Sequence, residues 1–399
     1  MTKPDRDTYP DSPVTYAPAG FPASNRECAE TSQLPREISG LLDARRPDDA
    51  EQALARWCGS AGTAVDEMRR RLLGAYALLR IGRRNAGLEH LRSAFAMGRE
   101  SGGLRNMAAG ARDLLSVLCA EALEAGIEPC FARTLIDREK LPPPFPNSAH
   151  WPYPVRIYTL GRFTVVARGQ PLRFSGKAQR RPMFLMHSLL AQGGKPVPVN
   201  RLRKAMGEDD TFGDSRYTRG AFDMALSRLR HLLSVPDLLL LGEGMLSLNG
   251  DLCWVDAWAV EHLLLDAEQQ PNPAYGMKLL ERALSFHEGE FLAGDESAGA
   301  VLARERMRSR LLRVSRRLGV ALEEAGRWEE AGALYERVRE VFPLDEDICL
   351  RLIRSHIKRQ EFAQATGIYA RCRELLAKVL GTLPSPAMRA LIEPSRLQA

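Results

Sequence analysis

A chain of 399 residues is long enough for two or three domains, each with its own core. Nowhere do about 18 apolar residues run together as a membrane span requires, and the opening "MTKPDRDTYPDSPVTYAPAG" lacks the apolar centre of a secretory signal. A chain neither exported nor embedded is expected, and seven scattered cysteines with no C-x-x-C spacing fit a reducing cytoplasm better than a disulfide framework or a zinc knuckle. The formal charge of +6 is unevenly spread: residues 155–235 hold 15 Lys/Arg against 5 Asp/Glu, so the remainder sums to −4. A concentrated positive segment is the electrostatic footprint of a phosphate-rich partner.

Residues 1–36 are rich in Pro, Ser, Thr and Asp and poor in large aliphatics, a composition that predicts a disordered tail. From 37 to 141 the apolar period is helical. In "MRRRLLGAYALLRIGRRNAGLEHLRSAF", Leu72, Leu73, Tyr76 and Leu79, then Leu88, Leu91 and Phe95, mark two amphipathic helices joined as a hairpin. Prolines at 142, 143, 144, 146, 152 and 154 then predict an extended, semi-rigid linker over 142–154.

Beyond the linker the period switches from 3.6 to 2. "VRIYTLGRFTVVARGQPLRF" reads as three short antiparallel strands. "RPMFLMHSLLAQGG" reads as a helix that tolerates Pro182 in its first turn and closes at Gly193 and Gly194. "VNRLRKAMG" gives a second helix and "GDSRYTRGAFDMALSRLRHLL" a third, after which "DLLLLGEGMLSLNGDLCWVD" forms a hairpin about the GEG turn. Strands, three helices and a hairpin over 155–255 make a winged helix, an arrangement in which the third helix enters a DNA major groove.

That third helix is two-faced. Phe222, Leu226, Leu229 and Leu233, at spacings of 4, 3 and 4, form its buried stripe. With about 100° per residue, Arg216, Gly220, Met224, Ser227, Arg228 and His231 fall on the outer side. An ordinary solvated face would carry mixed signs, whereas here Asp223 is the only acid after Asp214. Arg228 and Ser227 are the leading candidates to read base edges, because an arginine can bond bidentately to guanine. Asp223 could accept from a cytosine, but tethering an arginine is the simpler role. Arg216, Arg219 and Arg230 lie towards the flanks, where phosphate contact is expected, as it is for Lys177, Arg180 and Arg181 at the entry to the first helix.

From Asp256 to about 393 the chain is helical again, with an internal repeat. Trp328, Ala331 and Tyr335 recur as Phe362, Ala365 and Tyr369, each pair 34 positions apart, which is the tetratricopeptide period. The aromatics at these positions are expected in the packing rather than in a ligand groove. The fold class expected is therefore mainly α, with tetratricopeptide-like helical repeats flanking a central α+β winged-helix DNA-binding domain.

Enzymatic chemistry finds no support in the sequence. "FSGKAQ" and "AQGGKPV" fail the Walker pattern: Pro171 and Ala178 stand where the first needs Gly and Ser or Thr, Leu189 and Pro196 where the second does. The seven histidines show no metal spacing, and no nucleophile, base and orienting acid group together. Neither a metal nor a cofactor is expected.

With those segments in hand, residues from about 150 to 393 resemble the bacterial transcriptional activator domain family, whose best-known members are antibiotic-pathway regulators of the SARP type. The opening strands and first helix, the helix "GAFDMALSRLRHLL", the junction "CWVDAWAVEHLL" and the body from "ALSFHEGEFLAG" to "LGTLPSPAMRALI" carry the likeness. It implies an OmpR-type winged helix on direct repeats of promoter DNA, bound as a head-to-tail homodimer, and an activator domain that engages RNA polymerase. "EALEAGIEPCFARTLIDREKLPPPFP" is similar to the helical segment preceding this module in larger, MalT-like relatives with a STAND-type ATPase, which is not expected here. Two departures stand out. The family usually has Leu-Trp-Pro near the end of the second helix, where this chain has Ala205, Met206 and Gly207, and the wing turn carries the acidic Glu243.

The reading is a cytoplasmic, nucleoid-associated DNA-binding regulator, an activator by resemblance. No receiver domain precedes the winged helix, so control by phosphorylation is not suggested. The alternatives are a protein-interaction scaffold whose winged helix has lost DNA affinity, and a switch whose helical repeats bind an unidentified small-molecule effector.

Overall fold

The computed structural model describes residues 64–80, 82–100, 112–172, 174, 180–206, 220–270 and 272–396. The expected tail over 1–36 lies outside them. Among the described residues there are fourteen helices and seven short strands, in two compact units divided at Pro142 and Pro143.

The first unit holds four helices: α1 (Ala64–Arg80), α2 (Arg84–Glu100), α3 (Arg112–Glu124) and α4 (Pro129–Glu139). The helical spacing read in the sequence places Leu72, Leu73, Leu91 and Phe95 in the core, where the α1–α2 hairpin meets Leu115, Leu118 and Leu135 of the α3–α4 pair. Phe95 meets the edge of Phe131, with ring centroids 5.4 Å apart.

In the second unit, β1 (Val155–Tyr158) pairs antiparallel with β2 (Thr164–Ala167), which pairs with β3 (Gln170–Pro171). Three helices follow: α5 (Arg180–Ala191), α6 (Val199–Ala205) and α7 (Ala221–Leu233), with the short strand β4 (Val197–Pro198) before α6. The wing is β5 (Leu239–Gly242) and β6 (Met245–Leu248), and β6 also pairs with β4. Its two-residue turn, Glu243 and Gly244, has φ of 50° and 72°, the left-handed pair that matches the twist of a tight hairpin. The segment after the wing differs from the single hairpin expected. β7 (Cys253–Val255) crosses back and adds parallel to β1, giving the sheet order β3-β2-β1-β7.

That crossing puts the first residue of α8 (Asp256–Gln269) beside the end of β1. The Asp256 carboxylate, 3% exposed, accepts hydrogen bonds from the Thr159 amide at 2.8 Å, the Thr159 hydroxyl at 2.6 Å, the Leu160 amide at 2.9 Å and the Ala257 amide at 2.7 Å. Burial pushes the carboxyl above its usual range, against the pull of these bonds. Because Thr159 and Leu160 directly follow β1 and the acceptor begins α8, this cluster clamps the winged helix to the helices that follow.

Those helices are α9 (Pro273–Ser285), α10 (Ala298–Glu324), α11 (Trp328–Val341), α12 (Glu346–Lys358), α13 (Phe362–Leu380) and α14 (Pro386–Arg396). Ala331, Tyr335 and Ala365 are fully buried and Tyr369 is nearly so, whereas Trp328 and Phe362 are half-buried. Helix α10 passes so close to α11 that a Cβ at Gly319 would stand 2.2 Å from the Tyr335 hydroxyl oxygen. One hydrophobic core extends from Val155 to Ile392. Further ties join α5 to the helical part: His187 Nδ1 lies 2.7 Å from Asp295 Oδ2, and Arg306 donates to the Ala191 carbonyl at 2.9 Å.

The proline-rich segment read as a linker is seated on the second unit from Pro143 onwards. Trp151 and Tyr153 are buried, Arg156 donates to the carbonyls of Ala149 and Trp151, and Arg282 of α9 donates to that of Asn147. Aromatic residues between the prolines give this segment apolar area to bury, which a free spacer would lack. No described helix is long and apolar enough to cross a membrane.

Candidate nucleic-acid interface

Helix α7 buries Phe222, Leu226, Leu229 and Leu233, each at most 3% exposed, against α5, where Leu185, Met186, Leu189 and Leu190 are equally enclosed. With that stripe held inward, helical geometry leaves the opposite face outward. Met224 is 53% exposed, and Asp223, Ser227, Arg228, Arg230 and His231 are all exposed. The helix stops at Ser234 in the left-handed region, φ 51°, whose amide donates to the Arg230 carbonyl and whose own carbonyl accepts from Arg168 at 3.0 Å.

Asp223 and Arg230 on α7 engage described residues of the protein. Asp223 meets Arg203 of α6 at 3.2 Å, and the Arg203 guanidinium lies 5.3 Å from the centroid of the Phe222 ring. This ties the second helix to the third at the level where α7 begins. Arg230 donates to the Leu239 carbonyl at 3.3 Å and so tethers α7 to the first strand of the wing. The flanking cation expected at phosphate thus has a structural partner as well. Arg180 and Arg181 are exposed at the start of α5. Arg216, Arg219 and Lys177 lie outside the described residues.

Three cations passed over in the sequence reading belong to the same motif. Arg201, Arg203 and Lys204 are all exposed on α6. The run "RLRK" was the available signal; its single buried residue, Leu202, anchors the helix and turns the cations out. The wing is different in character. Leu240 and Leu241 are 45% and 48% exposed, and with Glu243 at the turn it offers an apolar, acidic tip in place of a basic one.

Physically, the α7 face combines one long apolar side chain, one hydroxyl, a guanidinium and an imidazole. Such a set can read base edges: a guanidinium suits guanine O6 and N7, and an apolar chain suits the thymine methyl. The α6 and α5 cations suit phosphate oxygens, which position a protein without reading sequence.

Comparison with known proteins bears on the rest of the second unit. Residues 255–394 match the family model described as Bacterial transcriptional activator domain. Regulatory protein AfsR of Streptomyces griseus is 28% identical over 239 residues, which cover 58% of this chain and 24% of that protein. The chain thus spans about a quarter of the length of that relative. A solved structure, Mycobacterium tuberculosis EmbR in complex with a low affinity phosphopeptide, aligns with a TM-score of 0.41 at 21% identity, covering 61% of this chain and 65% of that one.

Proposed function

We propose, from the bacterial transcriptional activator domain that residues 255–394 match, that this chain is a sequence-specific DNA-binding transcriptional regulator of the activator kind. The observation that carries the reading is the outward face of α7, Met224, Ser227, Arg228 and His231, held up by a buried stripe in a three-helix and wing arrangement. In this reading α7 lies in the major groove of promoter DNA, with Arg228 and Ser227 at base edges. Arg180, Arg181, Arg201 and Lys204 hold the phosphate backbone, joined by Lys177, Arg216 and Arg219. Asp223 is withheld from the bases by its ion pair with Arg203.

The action is recruitment without bond chemistry. A duplex gripped by α7 fixes the position of the activator domain, because the Asp256 cluster and the His187–Asp295 contact join the two parts inside one core. The helical repeats then present a surface to RNA polymerase, and two copies on adjacent direct repeats raise the effective concentration of that surface.

Gel shifts of the full chain on genomic promoter fragments, repeated over a range of salt, test the proposal. Specific retention that outlasts competitor DNA is expected, with log K falling linearly against log salt at a slope of about −0.9 per phosphate contact. A chain that ignores every fragment at low ionic strength would instead be an interaction scaffold.

A further inference from the structure

The activator part contains a half-open cavity of about 880 Å³ between α9, the loop from His287 to Glu296, α10 and the end of α11. Its chemistry is opposite to that of the α7 face. The floor is apolar: Phe291 and Met307 are buried there, with Leu284, Val341 and Phe342 beside them. Around it stand six glutamates, Glu281, Glu288, Glu290, Glu296, Glu305 and Glu340, against three arginines.

The arginines are committed to the wall. Arg337 pairs with Glu281 at 3.1 Å. Arg304, its side chain 15% exposed, donates to the Asp295 carbonyl and faces Glu290 at 3.6 Å and Glu296 at 3.9 Å. Arg308 lies 5.8 Å from the centroid of the Phe342 ring, whose plane also meets His287 at 5.7 Å. Burial depresses the His287 pKa, so this imidazole adds no cation at neutral pH. Glu288, Glu305 and Glu340 form no ion pair with any described residue, and all three are exposed at the rim.

The geometry points to a docking groove for a basic amphipathic helix of a protein partner, its apolar face on Phe291, Met307 and Phe342 and its lysines or arginines on Glu288, Glu305 and Glu340. Charge complementarity argues for that occupant. An acidic rim over an apolar floor matches one cationic and one apolar face. The three unpaired acids sit on three different elements, which calls for several cations in one rigid array, more than a single small cation supplies. The wall from Val301 to Arg308 is about two turns of α10, roughly 10 Å, the length of helix face that two successive anchors of a bound peptide cover. Val301 and Leu302, 38% and 63% exposed, continue the apolar strip outward from the same wall. The site depends on the winged helix only for a common core, so its test stands apart from DNA binding.

The test is fluorescence anisotropy of the full chain with a labelled Leu/Lys amphipathic helix, a Leu/Glu helix of the same pattern, and a Ser/Lys peptide lacking the apolar face. Because the whole chain is positive, an acidic groove and not bulk charge must capture the Leu/Lys probe. It is expected to bind while the other two do not, and the E288Q/E305Q/E340Q variant is expected to weaken it about tenfold, three rim charges at about 0.5 kcal/mol each. The variant's gel shift on promoter DNA should be unchanged. Equal affinity of wild type and variant, no binding of the Leu/Lys probe, or equal binding of the Leu/Glu probe overturns the proposal. If DNA binding fails while the probe responds as expected, the regulator reading falls and the groove stands.

Discussion

The α7 face and the cavity under α11 are both charged surfaces over apolar packing, yet they are assembled differently. On α7 every contributing residue lies within two and a half turns of one helix, and the apolar stripe that anchors it also dictates which residues face out. The cavity draws its acids from α9, a loop, α10 and α11, so its charge exists only once four elements have packed. A surface carried by one helix survives local rearrangement as long as the helix stays seated, whereas a surface shared by four depends on the whole core.

Substitutions in the shared core should therefore break both surfaces, and the largest effect is expected at Asp256. Asp256→Ala leaves the Thr159 and Leu160 amides and the Thr159 hydroxyl buried without an acceptor, a loss of about 3–5 kcal/mol. The urea midpoint should drop accordingly and DNA retention should go with it. A midpoint within error of wild type would mean that the two parts are not clamped there.

A change confined to the helical repeats should separate the two surfaces. Gly319→Ala forces a methyl into the Tyr335 ring and should cost about 1–3 kcal/mol by overpacking. Calorimetry should report the loss, while the folded fraction still binds DNA with the wild-type salt slope.

Acid sharpens the contrast further. Burial raises the Asp295 carboxyl pKa, but hydrogen bonds from Ser297 and His187 outweigh that and set it below the ordinary carboxylate value. A folded pKa below the unfolded one gives stability that is complete above the unfolded value and fades as pH falls through the folded one. Asp295→Asn should lower stability at neutral pH and flatten the acid limb of the profile measured by thermal unfolding, so that variant and wild type converge as the pH falls through the folded Asp295 pKa.

The smallest effect expected is at the wing. Glu243→Lys puts a cation on an exposed turn whose backbone already accepts a non-glycine residue at φ 50°. Stability should be unchanged within about 0.5 kcal/mol, and the salt slope of DNA binding should steepen by about one unit if the wing tip lies near phosphate. An unaltered slope would place the tip away from the backbone, where Leu240 and Leu241 face another surface.

The same contrast explains what could be read from the residues alone. Helix α7, its stripe, the wing hairpin about the GEG turn and the 34-residue repeat were legible because each is periodic or local. Arg201, Arg203 and Lys204 were equally local and were overlooked beside the richer helix that follows. Strand β7 was hidden because three apolar residues, Cys253 to Val255, carry no period of their own and only their pairing with β1 makes them a strand. The Asp256 cluster joins residues 97 positions apart, and proline density masked the buried roles of Trp151 and Tyr153. The acidic cavity left no trace in any single segment, since its glutamates are spread over some sixty residues of charge-balanced helix.

The central claim, that α7 reads DNA sequence through its outer face, is tested most directly by selecting duplexes from a random pool with the full chain and with Arg228→Ala, then sequencing what is retained. The wild-type chain should enrich one motif, and the variant should enrich the same motif with its preference for guanine lost at a single position, a change of about 1–3 kcal/mol there. No motif from the wild type, or an identical motif from Arg228→Ala, would contradict the claim.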